Sequence, residues 1–289
     1  ILVSSRGVSS LYFGRKFGFS NASTDATSVL ENSDVDTVVI ATRHNLHSSM
    51  VLSALSAGKH VFCEKPLCLK LDDLRKIEVE FKRVKNQVLM VGFNRRFSPY
   101  VVKMKSLLSQ LDSQPKSLIL TVNAGKVPKE HWTQDPNIGG GRILGEVCHF
   151  IDLARHLVGS KIVTKRILVQ GVGKGSKEAS DNLSLNLKFL DGSVASIFYL
   201  ANGHRGFSKE RIEVFSAGRV LQLNNFRELK GWGWPNFSKM RGWYQDKGQT
   251  NCVRKFVEVI KGGGILPIPS EEIFEVTRTT IEVAEEAQQ

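Results

Sequence analysis

The sequence predicts an α/β fold in which a Rossmann-like parallel sheet is followed by an α+β domain with a mainly antiparallel sheet. Strands and helices alternate through residue 92, and Val38–Ala41 is an uninterrupted apolar run, as expected for a strand covered on both faces. Beyond residue 95 apolar and polar positions alternate, and Asp191-Gly192 favours a tight hairpin. We therefore expect two domains, residues 1–95 and residues 96–289, with the last helices packing back on the first domain.

The elements of the first domain follow from hydrophobic spacing and from the residues that end helices. We expect strands at Ile1–Ser4, Val38–Ala41, His60–Cys63 and Gln87–Gly92, and a short strand or loop before Thr24. We expect helices at Val8–Phe17, at Ala26–Asn32, through Val51, Leu52 and Leu55 up to Gly58, and at Leu71–Lys85.

The second domain is predicted from period-two alternation and from helical spacing after Gly and Pro residues. Strands are expected at Leu118–Asn123, Leu183–Phe189, Val194–Tyr199, Arg211–Phe215 and Val220–Leu223. Helices are expected at Glu146–Leu157, Asn251–Lys261 and Glu271–Glu286.

The composition, with 41% hydrophobic and 24% charged residues, is that of an ordinary globular protein. No apolar run approaches the roughly 20 residues that span a bilayer, and no signal-peptide pattern opens the chain, so we expect a cytoplasmic protein without a membrane partner. The four cysteines, Cys63, Cys68, Cys148 and Cys252, contain no C-x-x-C pair, which predicts reduced and mostly buried thiols.

The net charge of +12 is compatible with two kinds of anionic partner. It could favour nucleic acid, or it could attract anionic substrates and dinucleotides. Because the basic residues are dispersed and no nucleic-acid motif is present, we expect no specific nucleic-acid partner.

The tripeptide Glu64-Lys65-Pro66 directly follows a predicted strand. Pro66 has no backbone donor and biases Lys65 toward an extended conformation, just past the strand end. That edge is where open α/β sheets hold their ligands. A lysine is usually a solvated surface charge, but in a cleft it can donate or accept a proton. Lys65 is therefore the first candidate catalytic residue.

Four motifs, in register along nearly the whole chain, resemble the Gfo/Idh/MocA family, the glucose-fructose oxidoreductase and inositol 2-dehydrogenase group. They are AT-x-x-x-x-H at Ala41–His47, AGKHV-x-x-EKPL at Ala57–Leu67, GFNRRFSP at Gly92–Pro99 and GGGRILGEVCHFIDL at Gly139–Leu153. Each motif alone is a weak signal, whereas four in the same order are specific.

The resemblance implies an NAD(P)-dependent oxidoreductase that moves a hydride between nicotinamide and a hydroxyl or carbonyl carbon of a sugar, nucleotide sugar or cyclitol. Residues 1–95 would be its dinucleotide-binding domain and residues 96–289 its substrate-binding and dimerisation domain. Lys65 matches the lysine of the family's EKP motif and would hydrogen-bond the reacting oxygen. His149 matches the catalytic histidine, a general acid or base.

Two acidic residues near His149 are further candidates. Many family members carry an aspartate four residues before the histidine, but Gly145 stands here and Glu146 follows it. Glu146 can face the same way as His149; either it replaces the aspartate as a catalytic group, or it only adds a favourable charge at the helix start. Asp152 lies near the same helix face and would orient His149.

The resemblance and the strand ends also predict ligand-binding residues. The cofactor candidates are Ser4, Ser5, Arg6, Ala41, Thr42, His47, Glu64, Lys65 and Asn94, and the substrate candidates are Arg95, Asn123, Trp132 and Asp152. His44 and His47 are three residues apart, a spacing compatible with two ligands of a zinc site. Such a site needs further ligands, and none has a recognisable spacing, so no metal is expected.

The residues Ser4, Ser5 and Arg6 bear on the choice between NAD and NADP. If Ile1–Ser4 is the family's second strand, these residues would meet the adenosine ribose. Hydroxyls followed by an arginine suit a 2′-phosphate, which favours NADP slightly. An arginine that merely begins a surface turn explains the same residues equally well.

The family's G-x-G-x-x-G phosphate loop is absent from these 289 residues. The chain is also similar to members that form the carboxyl-terminal half of longer bi-domain oxidoreductases, through VNAG at Val122–Gly125 and K-E-R-x-E-V-F at Lys209–Phe215. We interpret it as amino-terminally truncated.

The alternative function is a non-catalytic binding or assembly module of the same fold that cannot hold dinucleotide. Because the family often dimerises through its second-domain sheet, we expect a homo-oligomer.

Overall fold

The computed structural model describes residues 1–84, 86–111, 114–171 and 181–288. The strands are β1 Leu2–Val3, β2 Ala22–Ser23, β3 Thr37–Ile40, β4 His60–Cys63, β5 Leu89–Val91, β6 Ser117–Asn123, β7 Ile162–Val169, β8 Leu183–Phe189, β9 Val194–Leu200, β10 Glu210–Ser216, β11 Arg219–Asn224, β12 Glu228–Trp232 and β13 Lys239–Arg241. The helices are α1 Gly7–Lys16, α2 Ala26–Glu31, α3 His47–Ser56, α4 Leu71–Arg83, α5 Pro99–Leu108, α6 Cys148–Val158, α7 Gln249–Gly262 and α8 Ser270–Glu286.

The predicted fold class is confirmed, because parallel strands occupy the first part of the chain and a mainly antiparallel sheet the second. The strand predicted at His60–Cys63 agrees residue for residue with β4. The predicted end of the fourth helix, Lys85, lies outside the described residues; α4 ends at Arg83. Asp72 and Asp73 lie in the first turn of α4, where a helix N-terminus favours negative charge.

The parallel strands form two separate sheets. Strands β1 and β2 pair with each other, and β3, β4 and β5 form a three-stranded sheet in that order. The prediction that the apolar run at β3 is covered on both faces is wrong, because Val39 is 64% exposed while Ile40 is 2% exposed. In the described structure β3 is an edge strand, and its face at Val39 is open. Periodicity alone does not distinguish such a strand from a central one.

The sheet of the second domain has eight strands in the order β13-β12-β11-β10-β6-β9-β8-β7, and all of its pairs are antiparallel except β6 with β9. On β6 the residues Leu118, Leu120 and Val122 are buried while Ile119 is exposed, so one face covers the core and the other is open. Gly192, with φ +87°, forms the tight turn between β8 and β9 that the Asp191-Gly192 pair predicts.

Four elements, α5, β7, β12 and β13, have no counterpart among the predicted elements. Strand β7 has no fully buried position, and β12 and β13 are short and mostly polar, so none of the three shows a clear alternation. Helix α5 did carry a signal, since Pro99 stands at its first turn and buried residues recur along it at helical spacing.

The two parts of the chain share one hydrophobic core. Helix α8 reaches the first domain through an ion pair between Arg278 and Glu78 and through the rings of Phe274 and Phe81, 5.9 Å apart. All four cysteines are buried and free, as predicted. No helix in the described part of the chain is long and apolar enough to cross a bilayer.

Candidate active site

The corner after β4 is fixed by backbone pairing. The amide of Glu64 donates to the carbonyl of Ile40, and the amide of Gly92 donates to the carbonyl of Cys63, both at 2.8 Å. The Glu64 carboxylate lies over Gly92, where a Cβ atom would be only 2.9 Å from Oε2. Glycine at position 92 therefore leaves room for Glu64 beside the end of β5.

Lys65 is half-buried and reaches across to the second domain. Its Nζ donates to the carbonyl oxygen of Gly145 at 2.6 Å. Gly145 lies in a single turn of π-helix, Ile143–Val147, which runs directly into α6. Such turns inside helices often occur at functional sites. The contact brings together the two motifs that carry the candidate catalytic residues, which lie 80 residues apart in sequence.

His149 lies in the first turn of α6 and is 6% exposed. Its Nδ1 is buried and has no hydrogen-bond partner among the described residues. Burial lowers the pKa of the imidazole well below its ordinary value, and three nearby cations, Arg95, Lys65 and Lys247, lower it further. His149 is therefore neutral at pH 7, with a ring nitrogen available for a ligand.

Asp152 does not orient His149, contrary to the prediction. Its carboxylate lies 2.7 Å from Nη2 and 2.8 Å from Nε of Arg96. Burial raises the pKa of Asp152 to about 6, although Arg96 opposes that shift. The i, i+3 spacing does place Asp152 near His149, but the arginine takes both carboxylate oxygens. Asp152 is 1% exposed, so a substrate contact is not available to it either.

Arg95, a predicted substrate ligand, is instead bound to a carboxylate. Its Nε and Nη2 donate to the two oxygens of Glu210, each at 3.0 Å, and its guanidinium lies 4.9 Å from the ring centre of Phe150. Lys247 donates to the same carboxylate at 2.5 Å. Burial raises the pKa of Glu210, but Arg95 and Lys247 outweigh it, and the pKa is lowered overall.

Sequence reasoning gave no role to Glu210 or Lys247. A signal for Glu210 exists in β10, where it shares the buried face of the strand with Ile212 and Val214. A charged residue on an inward face needs a partner, because an unpaired buried charge is costly. Lys247 lies in a loop and has no comparable signal.

The two histidines after β3 hold the loop in place. His47 is fully buried, with Nδ1 2.7 Å from the carbonyl of Pro66 and Nε2 3.1 Å from that of Thr42. Both ring nitrogens face backbone, so any effect of His47 on a cofactor is exerted through the corner that it braces. His44 contacts the carbonyl of Gly139 at 2.7 Å, and burial is the main cause that lowers its pKa to about 4.

Four more candidates lie at the end of β3 or contact residues described above. Ala41 and Thr42 are exposed at the end of β3. Trp132 packs edge-on against His44, with ring centres 4.8 Å apart. Asn94 donates to the carbonyl of Lys247 at 2.8 Å. Among the described ranges, no group of three or more His, Cys, Asp or Glu residues could hold a metal ion.

Five further candidates have surroundings that differ in kind. Asn123 donates to the carbonyl of His204 at 2.8 Å, so it organises a neighbouring loop. Glu146 is half-buried. Its charge raises the pKa of His44 against the larger, opposite effect of burial, and it raises the pKa of Tyr199 in the same direction as burial, which is the larger cause. Ser4, Ser5 and Arg6 lie between β1 and α1, with Ser5 and Arg6 exposed at the start of the helix.

Family models match both parts of the chain. The model described as "Oxidoreductase family, NAD-binding Rossmann fold" matches residues 2–93, and the model described as "GFO/IDH/MocA C-terminal domain" matches residues 115–219. Together they cover more than half of the 289 residues and agree with the order of strands and motifs described above. The chain belongs to the GFO/IDH/MocA oxidoreductase family.

Curated relatives are named as dehydrogenases. Levoglucosan dehydrogenase of Pseudarthrobacter phenanthrenivorans is 30% identical over 222 residues, covering 66% of this chain and 55% of the relative. Myo-inositol 2-dehydrogenase of Thermotoga maritima is 31% identical over 220 residues, covering 74% of this chain and 64% of the relative. The chain thus matches between about half and two thirds of the length of these relatives.

Solved structures share the fold. An oxidoreductase domain protein from Kribbella flavida superposes with a TM-score of 0.86 at 20% identity, covering 100% of this chain and 88% of that one. Levoglucosan dehydrogenase in complex with NADH and levoglucosan superposes with a TM-score of 0.83 at 22% identity, covering 99% and 87%. The similarity extends over both domains.

The environment of His149 predicts how it titrates. We expect NMR of histidine-labelled protein to show its imidazole still neutral at pH 6.5, because burial and nearby cations disfavour the charged form. Replacing Lys247→Met removes one of those cations and should raise the pKa of His149.

His149→Asn would assign the signal. Lys261→Met is the matched control, since Lys261 is exposed at the far end of α7 and should leave the titration unchanged. A His149 signal that titrates at or above pH 6.5 would contradict the prediction.

Proposed function

We propose that the protein is an NAD(P)-dependent oxidoreductase that transfers a hydride between nicotinamide and a hydroxyl or carbonyl carbon of a sugar, nucleotide sugar or cyclitol. The observation that carries the proposal is the meeting of the Lys65 corner with the turn that starts the His149 helix, through the hydrogen bond to Gly145. The relatives named for levoglucosan and for myo-inositol, an anhydrosugar and a cyclitol, support this substrate class.

The chain's residues fit the two ends of a bound dinucleotide. The buried, unpartnered Nδ1 of His149 and the exposed end of β3 suit a nicotinamide and its substrate beside Lys65. Ala41, Thr42, Glu64 and Asn94 are the proposed contacts there, with His47 bracing the corner. Ser4, Ser5 and Arg6 suit the adenosine end. We assign the pyrophosphate to none of the 289 residues, because they contain no G-x-G-x-x-G loop.

The proposed chemistry divides between two side chains. A bound nicotinamide supplies the acceptor or donor of the hydride. In the direction of oxidation, the ammonium of Lys65 hydrogen-bonds the substrate oxygen and stabilises the charge that develops on it as the C–H bond breaks. Neutral His149 accepts the hydroxyl proton, and the carbonyl product forms. In the direction of reduction the same proton returns from His149 to the oxygen.

Glu146 has a supporting role in this proposal. It lies in the π-helical turn between Gly145 and α6, and its negative charge acts to raise the pKa of His44. We propose that it contributes to the electrostatic balance of the cleft and to the hydrogen bonding of substrate hydroxyls. The family match to residues 2–93 argues against the alternative of a non-catalytic binding module.

Replacing Lys65→Ala should lower kcat by about 10²–10³-fold, because the hydrogen bond that stabilises the charge developing on the substrate oxygen is lost. The Michaelis constant for the cofactor should change little. Steady-state measurement of nicotinamide absorbance tests this, with Lys70→Ala, an exposed lysine five residues away, as the matched control. Undiminished turnover in Lys65→Ala would refute the role of Lys65.

We propose further that the cofactor is NADP(H) rather than NAD(H), because Ser4, Ser5 and Arg6 can hold a 2′-phosphate. Replacing Arg6→Ala should then raise the Michaelis constant for NADPH by about ten-fold and leave that for NADH nearly unchanged, since one charge-assisted hydrogen bond is lost. Arg15→Ala, at an exposed position on the same helix, should change neither constant. A strong preference of the unaltered protein for NADH would exclude the idea.

The open face of the eight-stranded sheet is the proposed site of self-association. The exposed apolar side chains on it include Ile119, Phe198 and Phe215, which lie on adjacent strands. A stable dimer buries about 800 Å² per partner, and one face of a sheet this wide can provide that area. Phe198→Lys should therefore shift the protein toward monomer in sedimentation velocity.

Val79→Lys is the control for this substitution, because Val79 is also apolar and exposed but lies on α4 of the first domain. It should leave the oligomeric state unchanged. A monomeric unaltered protein at micromolar concentration would contradict the proposal.

A further inference from the structure

His44 links the edge of the three-stranded sheet to the second domain. It begins the short 3-10 helix His44–Leu46 after β3 and is 7% exposed. Its Nδ1 lies 2.7 Å from the carbonyl oxygen of Gly139. The amide of the next residue, Asn45, donates to the carbonyl of Ile138 at 3.0 Å. Two adjacent residues of the first domain therefore hold two adjacent carbonyls of the second.

The same ring lies beside Gly145, at the other end of a short segment, residues 139–145. A Cβ atom at position 145 would be 3.3 Å from Cε1 of His44, which is closer than ordinary van der Waals contact. Glycine at this position therefore leaves room for the imidazole beside the π-helical turn. Trp132 of the second domain also packs edge-on against the ring. His44 is thus next to both ends of segment 139–145.

The protonation state of His44 suits a hydrogen bond to a carbonyl. Burial is the main cause that lowers its pKa to about 4, so the imidazole is neutral at pH 7 and carries one proton. A carbonyl oxygen can only accept a hydrogen bond, so that proton is on Nδ1. The donor that holds Gly139 is therefore present at neutral pH and adds no positive charge beside Lys65.

Segment 139–145 includes the carbonyl that Lys65 binds. Strands β3 and β4 are adjacent and parallel, so His44 and Lys65 leave the same edge of the sheet. His44 holds the start of the segment at Gly139, and Lys65 donates to its end at Gly145. The two residues after Gly139 are glycines with φ of +73° and +81°, and glycine restricts the backbone least. The position of the Gly145 carbonyl therefore depends on contacts that hold the segment, and the bond from His44 ties it to the edge that carries Lys65.

We propose that His44 is a positioning residue for Lys65: its bond to Gly139 sets where the Gly145 carbonyl lies, and that carbonyl orients the ammonium toward the substrate oxygen. The proposal rests on the oxidoreductase function proposed above and adds to the same site a residue that acts without touching substrate. A lysine ammonium has three N–H donors, so Gly145 can take one while another meets the substrate. A displacement of about 1 Å in such a group can lower turnover about 10²-fold.

Substitutions that keep or remove one ring nitrogen test the proposal. The amide nitrogen of asparagine can occupy the place of Nδ1, whereas that of glutamine reaches the place of Nε2. His44→Leu and His44→Gln should each lower kcat about 10–10²-fold and change the Michaelis constants by less than about three-fold, because a positioning group is lost and no ligand contact is. His44→Asn should keep most of the activity. Turnover is followed by nicotinamide absorbance, with levoglucosan and with myo-inositol.

His60→Leu is the matched control. His60 is a half-buried histidine at the other end of β4, and its Nδ1 accepts from the amide of Val88 at 3.0 Å. Its loss should lower the temperature of unfolding but leave kcat within about two-fold, because the hydrogen bond lost lies outside the site. A fall in kcat as large as that in His44→Leu would assign the effect to stability alone and overturn the proposal.

A double-mutant cycle shows whether His44 acts through Lys65. When Lys65→Ala is already present, His44→Leu should lower kcat by no more than about two-fold, because the group that it positions is gone. An undiminished effect in that background would mean that the two residues act independently. That result would overturn the proposal, and so would activity kept by His44→Gln but lost in His44→Asn.

Acetylation of Lys65 separates failure of this proposal from failure of the oxidoreductase function. Acetic anhydride should label Lys65 several-fold faster in His44→Leu than in the unaltered protein or in His44→Asn, because the amine is released from its hydrogen bond. Mass spectrometry measures the labelling, with the exposed Lys70 as internal reference. This result in a protein that oxidises neither compound would support the positioning role and count against the oxidoreductase function. Unchanged labelling in an active enzyme would overturn the positioning role alone.

The tautomer of His44 tests the proposal in the unaltered protein, even where a variant fails to fold by circular dichroism. NMR of isotope-labelled histidine should show a neutral imidazole at pH 7 with its proton on Nδ1, the donor to Gly139. A proton on Nε2 would remove that donor and overturn the proposal.

Discussion

Two consecutive arginines, Arg95 and Arg96, connect the end of β5 to two layers of the second domain. They follow β5 directly, and each binds a carboxylate from a different layer of the second domain. Arg95 takes Glu210 from the sheet, and Arg96 takes Asp152 from helix α6. Both pairs are buried, so loss of Glu210 would leave the charge of Arg95 without its carboxylate, a loss that typically costs about 3–5 kcal/mol.

The position of His149 depends on this arrangement. Asp152 lies one turn after His149 on α6, so the bond from Arg96 fixes the helix that carries the histidine. Arg96 also pairs with Glu272 of α8, which ties the last helix to the same point. The hydrogen bond from Lys65 to Gly145 is then possible because both domains are already held in register.

Local sequence patterns predicted most of the fold, and short-range motifs predicted the corner of the site. The strand before Glu64, the extended Lys65 and the helix carrying His149 all depend on neighbouring residues, which spacing does reveal. The contacts of Asp152 and Arg95 depend on partners 56 and 115 residues away in sequence. Local spacing does not indicate which distant side chain each of them binds. In both cases an oppositely charged side chain replaced the expected ligand contact.

The exposure of Val39 shows a similar limit in the first domain. An apolar run predicts a strand, but the covering of its faces depends on which elements pack beside it. The described strands β1 and β2 pair only with each other, so β3 has a neighbour on one side.

In the proposed reaction, the three cations around His149 act in opposite ways before and after the proton transfer. By holding the imidazole neutral they keep it ready to accept a proton, but the same field opposes the imidazolium that results. The Glu210 carboxylate offsets part of that field through its ion pairs with Arg95 and Lys247. The hydride leaves the substrate carbon as His149 takes up the hydroxyl proton. The negative charge on the substrate oxygen therefore offsets the charge of Lys65 only transiently.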